Sequence, residues 1–311
     1  MRTFFISDLH FGHKNAIDYD RRPFSSVEEM NEEIIRRWNA KIHADDLVYI
    51  LGDFTIEDDA VKYASRLKGR KILIRGNHDL YLRKEQNRAI FEKISGLEEL
   101  NVDGKWLTLC HYPMIEWHGS RRQPSDKTYG YLIYGHIHNN VKELYRRVLT
   151  APNALNASAD VNGFVPVTFD ELILNNAAYQ KRAQAILPTL PEGGEGQVCF
   201  ADMTLAEAPF EAIRQGEKTV EMRLFDDKRR RLQVGDVIRF RSQNGKDLLF
   251  AEVTSLRTFA VFRLAFAEDA LRFAAGFRSQ NAEEAANAMR AYYSAEEESM
   301  LGVLAIGIRL L

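Results

Sequence analysis

Five short apolar runs in the first half of this chain each stop directly before a residue able to hold a cation. Thr3-Phe-Phe-Ile-Ser7 leads into Asp8-Leu-His10, and Leu47-Val-Tyr-Ile-Leu51 into Gly52-Asp53. Lys71-Ile-Leu-Ile-Arg75 leads into Gly76-Asn77-His78-Asp79, Trp106-Leu-Thr-Leu-Cys110 into His111, and Tyr131-Leu-Ile-Tyr134 into Gly135-His136-Ile-His138. Runs of this length and composition read as buried strands. Buried strands of an α/β sandwich present the residues beyond their carboxyl ends to a common rim, where loops carry chemistry on a rigid frame. Gly52, Gly76 and Gly135 are expected to permit the sharp turns that aim the following side chains inward.

The residue types limit the chemistry. Five of the eight histidines lie in these blocks, together with Asp8, Asp53 and Asn77. Imidazole, carboxylate and amide oxygen together suit a borderline first-row ion, manganese, iron, nickel or zinc, better than a purely oxygen-ligated magnesium site, although magnesium is admissible. A phosphate ester is anionic and repels hydroxide. Its hydrolysis near neutrality needs positive charge on the phosphate, a deprotonated water and a stabilised leaving oxygen, which two divalent ions about 3.5–4 Å apart can supply.

In that order and spacing the five blocks resemble the pattern of the calcineurin-like metallophosphoesterase superfamily: D-x-H, G-D, G-N-H-[DE], H and G-H-x-H. The resemblance covers roughly the first 170 residues and leaves no ligand position unfilled. It implies that Asp8, His10 and His138 hold one metal, that Asn77, His111 and His136 hold the second, and that Asp53 bridges them. It also implies that His78 faces the phosphate as general acid or oxyanion stabiliser. The catalytic candidates are therefore His78 and Asp53, with hydrolysis by a metal-bound hydroxide. His13 and Arg75 are candidates for touching substrate, and Arg21-Arg22 and Arg121-Arg122 could receive phosphate oxygens. Trp117-His118 could stack a base, with packing as the alternative.

Between the motifs, Ser26-Val27-Glu28-Glu29 reads as an N-cap with acids in the first turn, followed by Met30, Ile34, Ile35 and Trp38 at helical spacing. Residues 58–67 and 83–94 are expected to be helical as well. Arg146 to Thr150 and Leu155 to Ser158 are read as closing strands, and Asp170 opens a last helix. Pro188-Thr-Leu-Pro191-Glu-Gly193-Gly194-Glu-Gly196 marks residues 180–197 as a linker. The expected organisation is a catalytic domain over 1–179 and a second domain over 198–311.

The second half repeats nothing of the first. Phe210-Glu-Ala-Ile213 reads as a helix closed by Gly216, and Lys218-Thr219-Val220-Glu221-Met-Arg223 as a strand with charges on one face. With Leu232-Gln-Val234-Gly235-Asp236-Val-Ile-Arg-Phe240 and the final Val303-Leu-Ala-Ile-Gly-Ile-Arg-Leu, this resembles the ASCH domain, a small PUA-like β-barrel found in RNA-associated proteins. The resemblance implies that Lys218, Glu221 and Arg223 line a cleft for nucleotide or RNA. One branch of that family deacetylates N4-acetylcytidine with a lysine and a threonine three residues later, a position where this chain has Glu221. Lys228 to Arg231 form a basic loop suited to a nucleic-acid backbone.

A formal net charge of -2 excludes a uniformly basic nucleic-acid coat. Cys110 and Cys199 fall in different expected domains and form no metal spacing, which points to a reduced, cytoplasmic setting. No apolar run approaches the roughly 20 residues of a membrane helix, so no membrane partner is expected. The sequence leaves oligomeric state open. The expectation is thus an α/β sandwich flanked by helices plus a small PUA-like barrel. It would act as a dinuclear phosphodiesterase on a nucleotide or RNA-related phosphate ester. The alternative is an RNA-binding protein or acylated-nucleoside amidohydrolase in which the second domain carries the main function.

Overall fold

A computed structural model describes all 311 residues and divides into two compact units, Met1–Cys199 and Phe200–Leu311. In the first unit, Thr3–Ile6, Leu47–Ile50, Arg70–Ile74 and Lys93–Ser95 form a four-stranded parallel sheet in that order. A second four-stranded sheet runs Leu97–Val102, Lys105–Cys110, Gly130–Tyr134 and Ala154–Asn156, antiparallel at its first pair and parallel thereafter.

Side chains of a strand alternate between faces, and the apolar runs place a core on each. Phe4, Ile6, Val48, Ile50 and Leu73 pack with Met30, Ile34, Ile35 and Trp38 of helix Val27–Lys41. The intervening Phe5 and Ile74 join Leu107, Leu109, Ile133 and Leu155 of the second sheet between the layers. Each such buried side chain contributes roughly 1.5–3 kcal/mol. Helix Val27–Lys41 starts where the sequence indicates: the Ser26 hydroxyl accepts the Glu29 N–H at 3.1 Å. The closing helix Phe169–Ile186 begins with a Thr168–Glu171 capping box.

Several local expectations change. Only Val61–Ala64 of residues 58–67 is α-helical. Residues 83–94 break into a 3₁₀ turn, the short helix Glu85–Arg88 and strand Lys93–Ser95. The buried Asn87 side chain donates to the Asp58 and Tyr81 carbonyls and accepts from the Ala60 N–H, and the free sheet edge at Ile72 recruits Lys93. Arg146–Thr150 is a helix rather than a strand, because burial of Val148 and Leu149 against the closing helix outweighs their β-propensity. The segment 180–197 is ordered: it holds the end of the closing helix, a 3₁₀ turn at Leu187–Thr189, and strand Glu195–Gln197 paired antiparallel with Asn140–Lys142.

The second unit is a curled five-stranded sheet in the order Phe200–Leu205, Val237–Ser242, Leu248–Phe259, Val303–Leu310 and Val220–Leu224. A bulge between Val253 and Ser255 interrupts the long strand, and bulges of this kind bend a sheet. Alternation again builds two cores, with Leu304, Ile306 and Ile308 on one face and Val303 and Ala305 on the other. No helix in the chain is long and apolar enough to cross a membrane.

Candidate metal centre and the second-unit cleft

Asp8, His10, Asp53, His136 and His138 all have positive φ, between 51° and 70°, and make up most of the non-glycine residues that do. That region is sparsely populated by side-chain-bearing residues and persists where the surroundings enforce it. Each lies within four residues of a strand end, so strained backbone from three loops converges on one point. The glycines before them act in two ways. Gly52 takes φ +88°, whereas Gly135 is needed for close approach: a Cβ there would lie 1.9 Å from Ser7 Oγ and 2.6 Å from Asp8 Oδ2.

The seven candidate ligands do meet. His10 Nε2 faces His138 Nε2 at 3.2 Å, and His138 Nε2 lies 3.7 Å from Asp8 Oδ1. His111 Nε2 and His136 Nδ1 each lie 3.0 Å from Asn77 Oδ1. Between the two groups sits Asp53, whose Oδ2 is 3.7 Å from His10 Nε2 and 3.5 Å from His111 Nε2. The other oxygen, Oδ1, accepts the His78 N–H at 2.8 Å. Oxygen and nitrogen atoms converging at such distances fit a pair of cations. The His10 Nδ1 atom is buried without a protein partner, so no competing hydrogen bond draws that ring away.

Electrostatics divide the donors. Burial, then the neighbouring His138 and Arg22, hold His10 well below the ordinary imidazole range, and burial lowers His136. Both are therefore neutral and have lone pairs to give. Burial also lowers His138, but the carboxylates of Asp8, Asp160 and Asp20 override it and raise its pKa well above the usual value. Burial raises Asp8, against the opposing pull of His138 and His111.

His78 is exposed beside the cluster, its ring 5.4 Å from that of His10. His13 is half-buried with its ring 5.2 Å from His10 and 6.4 Å from His78, so it sits at the same mouth. Arg75 is exposed at the end of its strand. Arg22 is not a substrate contact: it is fully buried, bonding the Asp8 and Leu9 carbonyls and Asp160. Trp117 is a packing residue, its Nε1 donating to the Gly130 carbonyl and its ring lying under Arg147.

Sequence reasoning missed four neighbours of the cluster. Asp79 accepts the Asp53, Phe54 and Gly76 N–H groups. Asp160 and Asp20 both lie 3.0 Å from His138 Nδ1. Tyr112 is 45% exposed, with its ring 5.0 Å from His111 and 4.9 Å from His136. The position of Asp79 next to His78 was a usable signal. Asp20, Asp160 and Tyr112 carried none, because only the fold brings them near.

In the second unit, Lys218, Glu221 and Arg223 do line one cleft of about 640 Å³, with Met222, Phe277, Tyr292 and Tyr293 among its apolar and aromatic walls. Buried Glu221 sits between the two cations: its Oε2 is 3.3 Å from Lys218 Nζ and its Oε1 2.8 Å from Arg223 Nε. Lys218 Nζ also donates to the Ala275 carbonyl at 2.9 Å, and Arg223 Nη2 to the Thr204 carbonyl at 2.9 Å. The basic residues 228–231 are not part of that lining. Arg229 and Arg230 instead pair with Asp226 and Asp227.

Comparison with known proteins matches the calcineurin-like phosphoesterase superfamily domain to residues 1–153 and the ASCH domain to residues 203–311. An uncharacterized protein of Methanocaldococcus jannaschii is 33% identical over 181 residues, which span 55% of this chain and 89% of that one. Among solved structures, a protein of unknown function from Aquifex aeolicus is 27% identical at a TM-score of 0.40, covering 53% of this chain and 94% of its own. A protein of Pyrococcus furiosus studied in solution is 33% identical at a TM-score of 0.30, covering 36% of this chain and 97% of its own.

Proposed function

Because the chain belongs to the calcineurin-like phosphoesterase superfamily and carries an ASCH domain, and is thereby a metal-dependent phosphoric ester hydrolase, we propose that it is a phosphodiesterase acting on a nucleotide or RNA-related ester. Asp8, His10 and His138 would hold one ion, Asn77, His111 and His136 the other, and Asp53 would be shared between them. The observation that carries this reading is the position of Asp53 Oδ2, within 3.7 Å of His10 Nε2 and 3.5 Å of His111 Nε2. Two divalent ions held there would supply Lewis acidity toward the phosphate and activate water for attack.

The protein's own groups account for the remaining needs of the reaction. Asp53 Oδ1 holds the His78 N–H and so fixes the backbone that carries the exposed imidazole. His78 would then give a proton to the leaving oxygen, with His13 at the same mouth and Arg75 exposed just past the strand before Asn77 to receive further phosphate or ribose oxygens. The neutral state of His10 and His136 suits a transition-metal pair such as manganese, iron, nickel or zinc. The two free cysteines, Cys110 and Cys199, support a reducing, cytoplasmic setting.

The second unit recognises the substrate by its base and backbone. Its cleft joins aromatic walls to two cations, the combination that stacks a base and holds a phosphate. Deacylation is the less favoured reading, since an ammonium shared between Glu221 and a carbonyl is not available as a nucleophile. The test is a reloading screen. Protein stripped of metal and given manganese, nickel, zinc, iron or magnesium is offered bis-p-nitrophenyl phosphate, p-nitrophenyl phosphate, cyclic nucleotides and short RNAs. Diester turnover restored by a transition metal supports the reading. Turnover confined to monoesters, or deacylation by metal-free protein, overturns it.

A further inference from the structure

Two ligands of the first half-site, Asp8 and His138, are far apart in sequence, yet one buried guanidinium holds both. Arg22 Nη2 donates to the Asp8 carbonyl at 2.8 Å and to Asp160 Oδ2 at 2.9 Å, while Nη1 donates to the Leu9 carbonyl at 3.0 Å. Asp160 Oδ2 in turn lies 3.0 Å from His138 Nδ1 and accepts the Ser158 hydroxyl at 3.0 Å. Asp20 Oδ2 approaches the same Nδ1 at 3.0 Å. All three of Arg22, Asp160 and Asp20 are buried.

Resting on the dinuclear reading, we propose that Arg22 and Asp160 are positioning residues that set the first half-site apart from the second. A carboxylate on Nδ1–H fixes the tautomer in which Nε2 carries the lone pair, and makes the ring a stronger donor. That Nε2 is the atom facing His10 and Asp8. Arg22 neutralises the carboxylate in place and clamps the Asp8–Leu9 carbonyls, so the strained turn bearing Asp8 and His10 cannot relax without also releasing Asp160. The second half-site lacks this arrangement: His111 Nδ1 donates to a neutral carbonyl, that of Leu51, at 2.7 Å. Asp20, His138 and Asp160 could also be read as ligands of a third ion. The hydrogen bonds already made by Asp160 to Arg22 and Ser158 favour the positioning role.

The experiment is metal binding by the full-length chain, read by dye competition and elemental analysis with manganese and cobalt and independent of turnover. Wild-type protein is expected to bind two ions. Asp160→Asn is expected to weaken one of them roughly 10–100-fold while leaving the other within a few-fold. The cobalt absorption bands should change for the weakened ion alone. Asp20→Asn, which keeps the Arg22–Asp160 bond and removes only the longer 3.9 Å contact of Asp20 with Arg22 Nε, is expected to weaken the same ion less and serves as the readout if Asp160→Asn does not fold. Equal weakening of both ions, or none, in a folded variant overturns the positioning role while the dinuclear reading stands. A third ion lost on substitution also overturns it. A wild-type chain that binds fewer than two ions overturns both.

Discussion

His10 Nε2 and His138 Nε2 face each other at 3.2 Å although 128 residues separate them in sequence. Two imidazoles brought this close lose hydration and gain nothing from each other unless a proton or a cation lies between them, so the cluster should be more stable when loaded. Chelation is expected to lower the melting temperature. Free metal at about 100 times its dissociation constant stabilises the folded state by about 2.7 kcal/mol. A calorimetric melt with and without chelator checks this, and coincident melts would count against a preformed site.

Asp53 Oδ2 lies within 3.7 Å of a ring nitrogen from each group, His10 Nε2 and His111 Nε2. Its replacement in Asp53→Asn should therefore cost both ions together. Loss of an outer partner of a ligand already costs roughly 10–100-fold in metal affinity or activity, so loss of a shared ligand should exceed about 100-fold in kcat/KM. Retention of two ions at wild-type affinity would contradict the shared role.

His78 separates from the ligands in a different way. Its backbone N–H serves Asp53 while its ring is exposed. In His78→Ala the backbone contact survives, so metal content should hold while kcat falls by about 10²–10⁴-fold. The deficit should shrink for a leaving group that needs no protonation, such as p-nitrophenolate. Equal losses for good and poor leaving groups would argue for an oxyanion role instead.

Tyr112 should act on binding rather than on chemistry. Its exposed ring stands against His111 and His136 and offers a face to a substrate base. Tyr112→Ala is expected to raise KM about 10-fold for substrates with an aromatic leaving group, within the usual range of a base–aromatic stack. Tyr112→Phe should restore it. A fall in bound metal in Tyr112→Ala would mean that the ring only supports the histidines.

What could be read ahead of the fold was whatever repeats locally. Strand runs such as Thr3–Ile6 and Leu47–Ile50 announce themselves because each residue alternates between two apolar environments, and Ser26 marks its helix by a contact only three residues long. The cluster of candidate ligands was legible because each member lies within four residues of a strand end. The outer partners were not, because Arg22 reaches Asp160 across 138 residues and Asp160 reaches His138 only once two different loops are in place. Arg146–Thr150 was misread for the opposite reason: its local β-propensity is real, but packing against Phe169–Ile186 decides the outcome.

Away from the site, Asp46 ties the start of the chain to the first sheet. Its carboxylate accepts the Arg2 N–H at 2.9 Å, the Arg2 guanidinium at 2.9 Å and the His43 N–H at 3.0 Å, and the Arg2 bond above all holds its pKa well below the carboxylate range. A depressed folded-state pKa stabilises above the unfolded value, near 3.9, and that contribution is lost as pH falls through the folded value. Asp46→Asn should thus lower stability at pH 7 by roughly 1 kcal/mol, a modest figure because Arg2 is half exposed. The difference from wild type should narrow below about pH 4. Denaturant melts at pH 7 and pH 3 test the sign, and a gap that widens in acid would refute it.

The cleft of the second unit yields a prediction about salt. Glu221 neutralises one of the two cations, so Lys218 and Arg223 together present about one net positive charge to a ligand. Removing Lys218 would leave Glu221 buried with a single partner and risks the fold, whereas Arg223 is less buried and can be replaced more safely. Binding of a labelled single-stranded RNA to the full chain, followed by anisotropy across a salt series, should weaken in Arg223→Gln. If Arg223 meets one phosphate, the slope of log affinity against log salt should also flatten by about 0.7. Weaker binding with an unchanged slope would place Arg223 against a base or a backbone carbonyl instead, and unchanged binding would remove this cleft from nucleic-acid recognition.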